Sequence, residues 1–483
     1  MTTSRRGPGS PGQPAVPRTV RQAVVIVHGM GEQRPLDMLS KFITAALPDA
    51  HIPEGDVSFY SRPDPVSDSY ESRRFLARGR TTPDGREAYA QTEFFEYHWA
   101  YLMEGNKFSD VFATLRKMIL RRPKNVPSGL KGAWVLAWLL VIAVGLLAWR
   151  YVDVSGEDVW WHAILTGLLG GGLMTAAASW LFNSLLPKKI TASFVDVVRY
   201  LDTSPRSYKV RKAIRKGMVD LLENLHDSNR YQRIIVVAHS LGAYVAYDGI
   251  TFLWSKMNRR NCSNPDRALD PAAREVLEEA CLFELSDPGN LETFRDAQRD
   301  LWTAFRAHGS PWLISDFITC GTPMTMADDL MTNNRDDFTN RVGLRHVATC
   351  PPQQDLPGLT EGQTYLTYPY KGATALYHAA PFAVVRWTNM WFPARWGLFG
   401  DWFGGPLRPL FGEGIKDIPL DQLQFGTKIP ALAHTKYFSY PGDLREGSVT
   451  KVLHDAMALN SSEWLTPTLD FDCPEIPAAV SDQ

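Results

Sequence analysis

Hydrophobic residues recur along this chain in three patterns, and each predicts a different element. Short runs rich in β-branched and aromatic residues read as strands: Ala23 to Val27, Thr92 to Met103, Ile234 to Ala238, Asp316 to Cys320 and Ala383 to Trp391. Apolar residues at three- and four-residue intervals predict helices over Leu36 to Leu47, Phe108 to Leu120, Thr191 to Leu201, Val210 to Leu225 and, in a charged stretch, Ala272 to Phe305. Phe59 and Tyr60 open a polar, proline-rich stretch to Gly85 that reads as loop. Strands alternating with helices predict an α/β fold, a mostly parallel sheet with helices on both faces.

The third pattern is continuous. Residues 132–149 carry no charge and reach the length at which a helix crosses a bilayer, and 160–186 form a second apolar run with His162 and Asn183 as its strongly polar members. Trp134, Trp138, Trp149, Trp160, Trp161 and Trp180 lie mostly toward the ends, where amphipathic rings prefer the lipid–water boundary. Gly170, Gly171 and Gly172 let two helices approach closely. A transmembrane helical hairpin over 121–189 is the expectation, with a pair of buried helices as the alternative. Arg116, Lys117, Arg121, Arg122, Lys124 and Lys131 precede the first run and Lys188 and Lys189 follow the second, whereas Asp153, Glu157 and Asp158 oppose Arg150 in the connection. Basic outer flanks place the rest of the chain and both termini on the cytoplasmic side.

Composition narrows the partners. Lys and Arg number 51 against 52 for Asp and Glu, so the 483 residues carry a net charge of -1, which argues against nucleic acid. Five cysteines without C-x-x-C spacing suggest neither a zinc site nor a disulfide framework, and they fit a reducing setting. Residues 1–21, rich in Pro, Gly, Ser and Arg, lack the apolar core of a secretory signal and read as a disordered tail.

Chemistry enters at Ile234 to Asp248, I-I-V-V-A-H-S-L-G-A-Y-V-A-Y-D, where a strand pattern stops at a serine and passes directly into a helix pattern. So tight a turn lifts the Ser240 hydroxyl above the sheet edge and requires small residues two before and two after it, here Ala238 and Gly242. Ser240 is therefore the candidate nucleophile. Acyl transfer by serine also needs a base, an acid that fixes the base's tautomer, and amide donors for the developing oxyanion. His434 lies in a loop after the last strand pattern and is the first candidate base; His454 sits in a helical pattern, and His346 and His378 come earlier. Asp401, in a glycine-rich turn beyond the strand Ala383 to Trp391, is the first candidate acid, with Asp328, Asp329 and Asp417 as competitors. The Leu241 amide follows the nucleophile, and H-G-M-G after the first strand offers Met30 as second oxyanion donor, with His28 and Gly29 supporting that loop.

H-G-M-G, A-H-S-L-G, D-F-I-T-C-G-T-P and the late Asp401 and His434 together resemble the α/β-hydrolase superfamily, in particular its lipase-like members, from Ala23 to Tyr437 apart from the hairpin and a cap. The resemblance implies a Ser240, His434, Asp401 triad that cleaves an ester, thioester or amide, with no cofactor and no metal. It divides the chain into a tail (1–21), a first hydrolase segment (22–120), the hairpin (121–189), a hydrolase segment with the elbow (190–265), a helical cap insertion (266–310), a segment carrying acid and base (311–465) and a C-terminal tail (466–483).

Between Trp387 and Phe411, Trp387, Trp391, Phe392, Trp396, Phe399, Trp402, Phe403 and Phe411 accompany Arg386, Arg395 and Arg408; they line an acyl pocket, meet the inner leaflet, or fill the core. A bilayer tether raises the local concentration of lipidic substrates, so a lipid or other acylated small molecule is the expected substrate. Two alternatives share the fold: a Ser-dependent acyltransferase, and a catalytically inactive scaffold for membrane partners.

Overall fold

A computed structural model describes residues 18–29, 37–47, 59–63, 71–81, 87–103, isolated positions between 123 and 142, residue 200, and residues 205–261, 271–281, 283–307, 310–332, 334–353, 366–370, 373–395, 399–429, 432–439 and 444–459. Its strands are β1 (Arg18–Val27), β2 (Phe59–Pro63), β3 (Glu71–Thr81), β4 (Glu87–Tyr97), β5 (Arg233–His239), β6 (Ile314–Cys320), β7 (Thr367–Tyr370), β8 (Ala373–Leu376), β9 (Arg386–Trp391) and β10 (Lys416–Pro419). The longer helices are α1 (Asp37–Ala46), α2 (Pro205–Asp227), α3 (Gly242–Asn261), α4 (Pro271–Cys281), α5 (Pro288–Ala307) and α6 (Val449–Met457).

Eight strands form one sheet in the order β10-β9-β6-β5-β1-β4-β3-β2. The six from β10 to β4 run parallel, while β3 and β2 complete the edge in antiparallel pairing. β7 and β8 pair as a separate hairpin. This is an α/β fold.

A parallel strand covered on both faces reads as an unbroken hydrophobic run, because alternate side chains enter different cores. β1 shows it. Ala23, Val25 and Val27 enter one core with α2, α3 and α5, and Val24 and Ile26 enter the other with α1 and α6. At the start of β5 the Arg233 guanidinium reaches Asp316 Oδ2 at 2.7 Å, and Arg386 of β9 reaches Asp316 Oδ1 at 2.9 Å. One buried carboxylate thus ties β5, β6 and β9.

The register also sets the site. Tyr97, Val27, Ala238, Thr319 and Asn389 lie abreast across β4, β1, β5, β6 and β9, so the segments that follow them emerge along one sheet edge. In open parallel sheets this carboxyl edge is where ligands bind.

Several elements differ from the sequence reading. The stretch from Phe59 to Gly85, expected as loop, contributes β2 and β3. Glu71–Thr81, paired between β4 and β2, carries Glu71, Arg73, Arg74, Arg78 and Arg80 and so lacks the hydrophobic run by which a strand buried on both faces is read. The strand expected over Thr92 to Met103 ends at Tyr97 and passes into a short 3-10 turn, and the one expected from Ala383 begins at Arg386. Within the segment 266–310, expected as a cap, α5 buries Leu291, Phe294, Leu301 and Trp302 in the core, and Arg295 donates to the Trp387 carbonyl of β9. It packs along the sheet.

The hairpin expected over 121–189 lies almost wholly outside the described residues, as do the helix over 108–120 and all but Tyr200 of the helix over 191–201. Of the first run, Lys131, Gly132, Trp134, Val135, Trp138, Leu139 and Ile142 are described and helical, with Val135, Leu139 and Ile142 exposed. No helix among the described residues is long and apolar enough to cross a membrane.

Candidate active site

Ser240 sits between the end of β5 and the first turn of α3 with φ of +56°, a left-handed backbone that non-glycine residues rarely adopt. Its amide donates to the Cys320 carbonyl of β6 at 3.0 Å, which holds the strained turn against the neighbouring strand. A Cβ on Gly242 would stand 2.3 Å from the Val27 carbonyl oxygen, and a Cβ on Gly29 would stand 2.6 Å from Ser240 Cβ. Both glycines are required by contact. The elbow and the loop after β1 are pressed together around the serine.

His434 lies in a 3-10 turn, Leu432–Thr435, and its Nε2 is 2.7 Å from Ser240 Oγ. Its Nδ1 lies 3.0 and 3.1 Å from the two oxygens of Asp401. An Nδ1–H donated to the carboxylate leaves the Nε2 lone pair facing the serine hydroxyl, which is the tautomer a general base needs. Asp401 is fully buried in the turn after β9, and Gly400 supplies that turn's positive φ of +130°. Burial by itself would raise the Asp401 carboxyl, but the His434 ring, the Tyr437 hydroxyl at 2.7 Å and the Phe403 amide at 2.9 Å hold it below the usual carboxylate range. The carboxylate stays charged.

On the other side of His434, His239 donates from Nε2 to the His434 carbonyl at 3.0 Å, fixing the backbone of that turn. Burial lowers the His239 imidazole to about 3, so it is a neutral brace. Phe403 meets the His434 ring edge-on at 4.9 Å.

Leu241 follows Ser240 at the N-terminal end of α3, where backbone amides and the helix dipole favour a negative charge. Met30, the expected second donor, lies outside the described residues. His28 and Gly29 are described. The His28 Nδ1–H donates to the Gly29 carbonyl at 2.5 Å, and the His28 carbonyl accepts from Trp99 Nε1 at 3.1 Å.

The competing residues lie elsewhere. Asp417 accepts the Leu407 and Arg408 amides, Asp328 and Asp329 occupy the first turn of a short helix, and His454 sits beside Asp455 on α6. His346 and His378 line a cavity of about 430 Å³ along α3, together with Arg211, Arg215 and Asp248. Of the aromatics after β9, Trp387, Phe392, Trp402, Phe403 and Phe411 are buried and Phe399 is exposed, while Trp396 lies outside the described residues. Core filling accounts for most of them.

Tyr437 and His239 were not singled out from sequence. His239 stands at the x position of the elbow motif, a readable place, whereas Tyr437 is three residues past His434 and only the fold turns it onto Asp401. No family model matches the chain, and neither the comparison with curated proteins nor that with solved structures finds a match.

Proposed function

We propose that this chain is a serine hydrolase of the α/β-hydrolase type, with Ser240 as nucleophile, His434 as general base and acid, and Asp401 as the carboxylate that orients the imidazole. The observation that carries the reading is the hydrogen-bonded line from Asp401 through His434 to Ser240 Oγ, with the serine on a left-handed turn at the sheet's carboxyl edge. His434 Nε2 takes the hydroxyl proton as Oγ attacks a carbonyl carbon, and the negative charge that develops on the carbonyl oxygen faces the Leu241 amide. Collapse of the tetrahedral species expels the leaving group, which receives the proton from His434. Water, deprotonated by the same imidazole, then releases the acid and restores Ser240.

A lipid-like acyl donor is the preferred substrate, and a membrane tether through the 132–149 and 160–186 runs the preferred setting. Two facts support this: both runs are free of charge, and Val135, Leu139 and Ile142 stand exposed at helical spacing. Such a tether would hold Ser240 near the bilayer on its cytoplasmic side.

Labelling with a fluorophosphonate probe tests the nucleophile. The wild-type chain should form a covalent adduct at Ser240, and Ser240→Ala should form none. Absence of labelling in folded wild-type protein would overturn the hydrolase reading in favour of an inactive scaffold. Lipid profiling of cells carrying the wild-type chain or Ser240→Ala then identifies the acyl donor, and the product, free acid or transferred acyl group, separates hydrolysis from acyl transfer.

A further inference from the structure

We propose that His28, Glu96 and His98, at the carboxyl ends of the adjacent strands β1 and β4, form a binding site for one divalent transition-metal ion of the zinc type. One ligand atom from each of the three residues lies within 4.8 Å of the other two. Parallel pairing puts Ile26 beside Glu96 and Val27 beside Tyr97, so His28 and His98 leave the sheet side by side, with their ring centroids 5.2 Å apart. No sequence spacing announces this cluster, because its members come from two strands some seventy residues apart.

His28 is the best-defined ligand. Its ring is fully buried and stacked on Trp99, and its Nδ1–H is committed to the Gly29 carbonyl. Among the described residues nothing hydrogen-bonds to its Nε2, so the second ring nitrogen is buried with its lone pair unused. A histidine held by an Nδ1–H to carbonyl bond, with Nε2 free, is the arrangement that orients metal-ligating imidazoles. His98 Nδ1 is likewise buried without a hydrogen-bond partner among the described residues. Glu96, 2 % exposed, supplies the carboxylate oxygen.

Two imidazoles and one carboxylate select a borderline ion such as Zn²⁺ over Ca²⁺ or Mg²⁺, which require mainly oxygen ligands. Tetrahedral ligation at about 2.1 Å sets donors roughly 3.4 Å apart, so binding draws these side chains together by at most about 1.4 Å. His98, the least buried of the three, can make that adjustment. The ion would clamp β1 to β4 immediately before Gly29, the residue pressed against Ser240. Its fourth position would be open to water.

The test uses the full chain, stripped with EDTA, dialysed against Zn²⁺ and then against metal-free buffer, with zinc measured by elemental mass spectrometry and stability by thermal unfolding. The wild-type chain should retain about one zinc per chain and unfold at higher temperature with zinc than after stripping. His98→Ala and Glu96→Gln, checked for folding by circular dichroism, should each bind zinc at least tenfold more weakly and lose the thermal shift. Excess Mg²⁺ should neither compete nor stabilise. Substoichiometric zinc in the wild type, wild-type binding in both folded variants, or equal binding of Mg²⁺ would overturn the proposal. Ser240→Ala should bind zinc as the wild type does, which separates failure of this site from failure of the hydrolase reading.

Discussion

The Tyr437 hydroxyl donates to Asp401 Oδ2 at 2.7 Å while accepting the Phe392 amide at 3.2 Å, so the carboxylate that holds His434 is itself held from behind by the end of β9. A hydrogen bond to a charged acceptor contributes roughly 1.5–3 kcal/mol. Tyr437→Phe keeps the ring and removes the donor. The expected outcome is a fall in kcat of about tenfold or more with KM little changed, read in steady-state assays on a chromogenic ester.

Asp401→Asn should be far more severe. An amide that donates to Nδ1 enforces the wrong imidazole tautomer, and the corresponding loss in a serine triad is about 10⁴-fold in kcat. Fluorophosphonate labelling should slow in parallel, and labelling at the wild-type rate would remove Asp401 from its assigned role.

Gly29→Ala tests the fit between the loop after β1 and the elbow. The added methyl meets Ser240 Cβ, so either the loop or the serine must move. Overpacking of this kind costs about 1–3 kcal/mol of stability, and a displaced oxyanion donor costs on the order of 100-fold or more in turnover. Urea unfolding and labelling rate measure the two effects separately.

Acid should destabilise the fold through buried neutral imidazoles. His226 donates from Nδ1 to the Leu222 carbonyl at 2.6 Å and accepts the Leu313 amide on Nε2 at 3.1 Å, so protonation of Nε2 breaks the second bond. Burial lowers His226 to about 4 from an unfolded value near 6.5. The unfolded chain therefore binds the proton first as pH falls. Stability contributed by the neutral ring is intact above pH 6.5, declines between 6.5 and about 4, and amounts to about 3 kcal/mol. His226→Gln, whose side-chain oxygen can accept from Leu313, should flatten that part of the urea-midpoint profile against pH.

What could be read from sequence follows from how local each constraint is. A left-handed serine pinned between two strands demands Ala238 and Gly242 on either side, so the elbow is visible as a string of letters. His434 stood out because a loop histidine late in the chain has few rivals, and Asp401 because its turn needs glycine at a positive φ. β2 and β3 escaped because their polar and charged residues interrupt the hydrophobic run by which a buried strand is read. The charged pattern of α5 suggested a cap, yet Arg295, Gln298 and Arg306 are buried and hydrogen-bonded, and only tertiary partners reveal that. The cluster of His28, Glu96 and His98 is set by strand pairing alone.

Tyr97, at the end of β4, donates its hydroxyl to the Ile214 carbonyl of α2 at 2.7 Å. That bond fastens α2, the helix by which the described chain returns to the sheet after Met103, to the carboxyl end of β4. Tyr200, fully buried just before α2, donates to Asp248 of α3 at 2.9 Å, so any graft that shortens the link between β4 and α2 has to keep that residue.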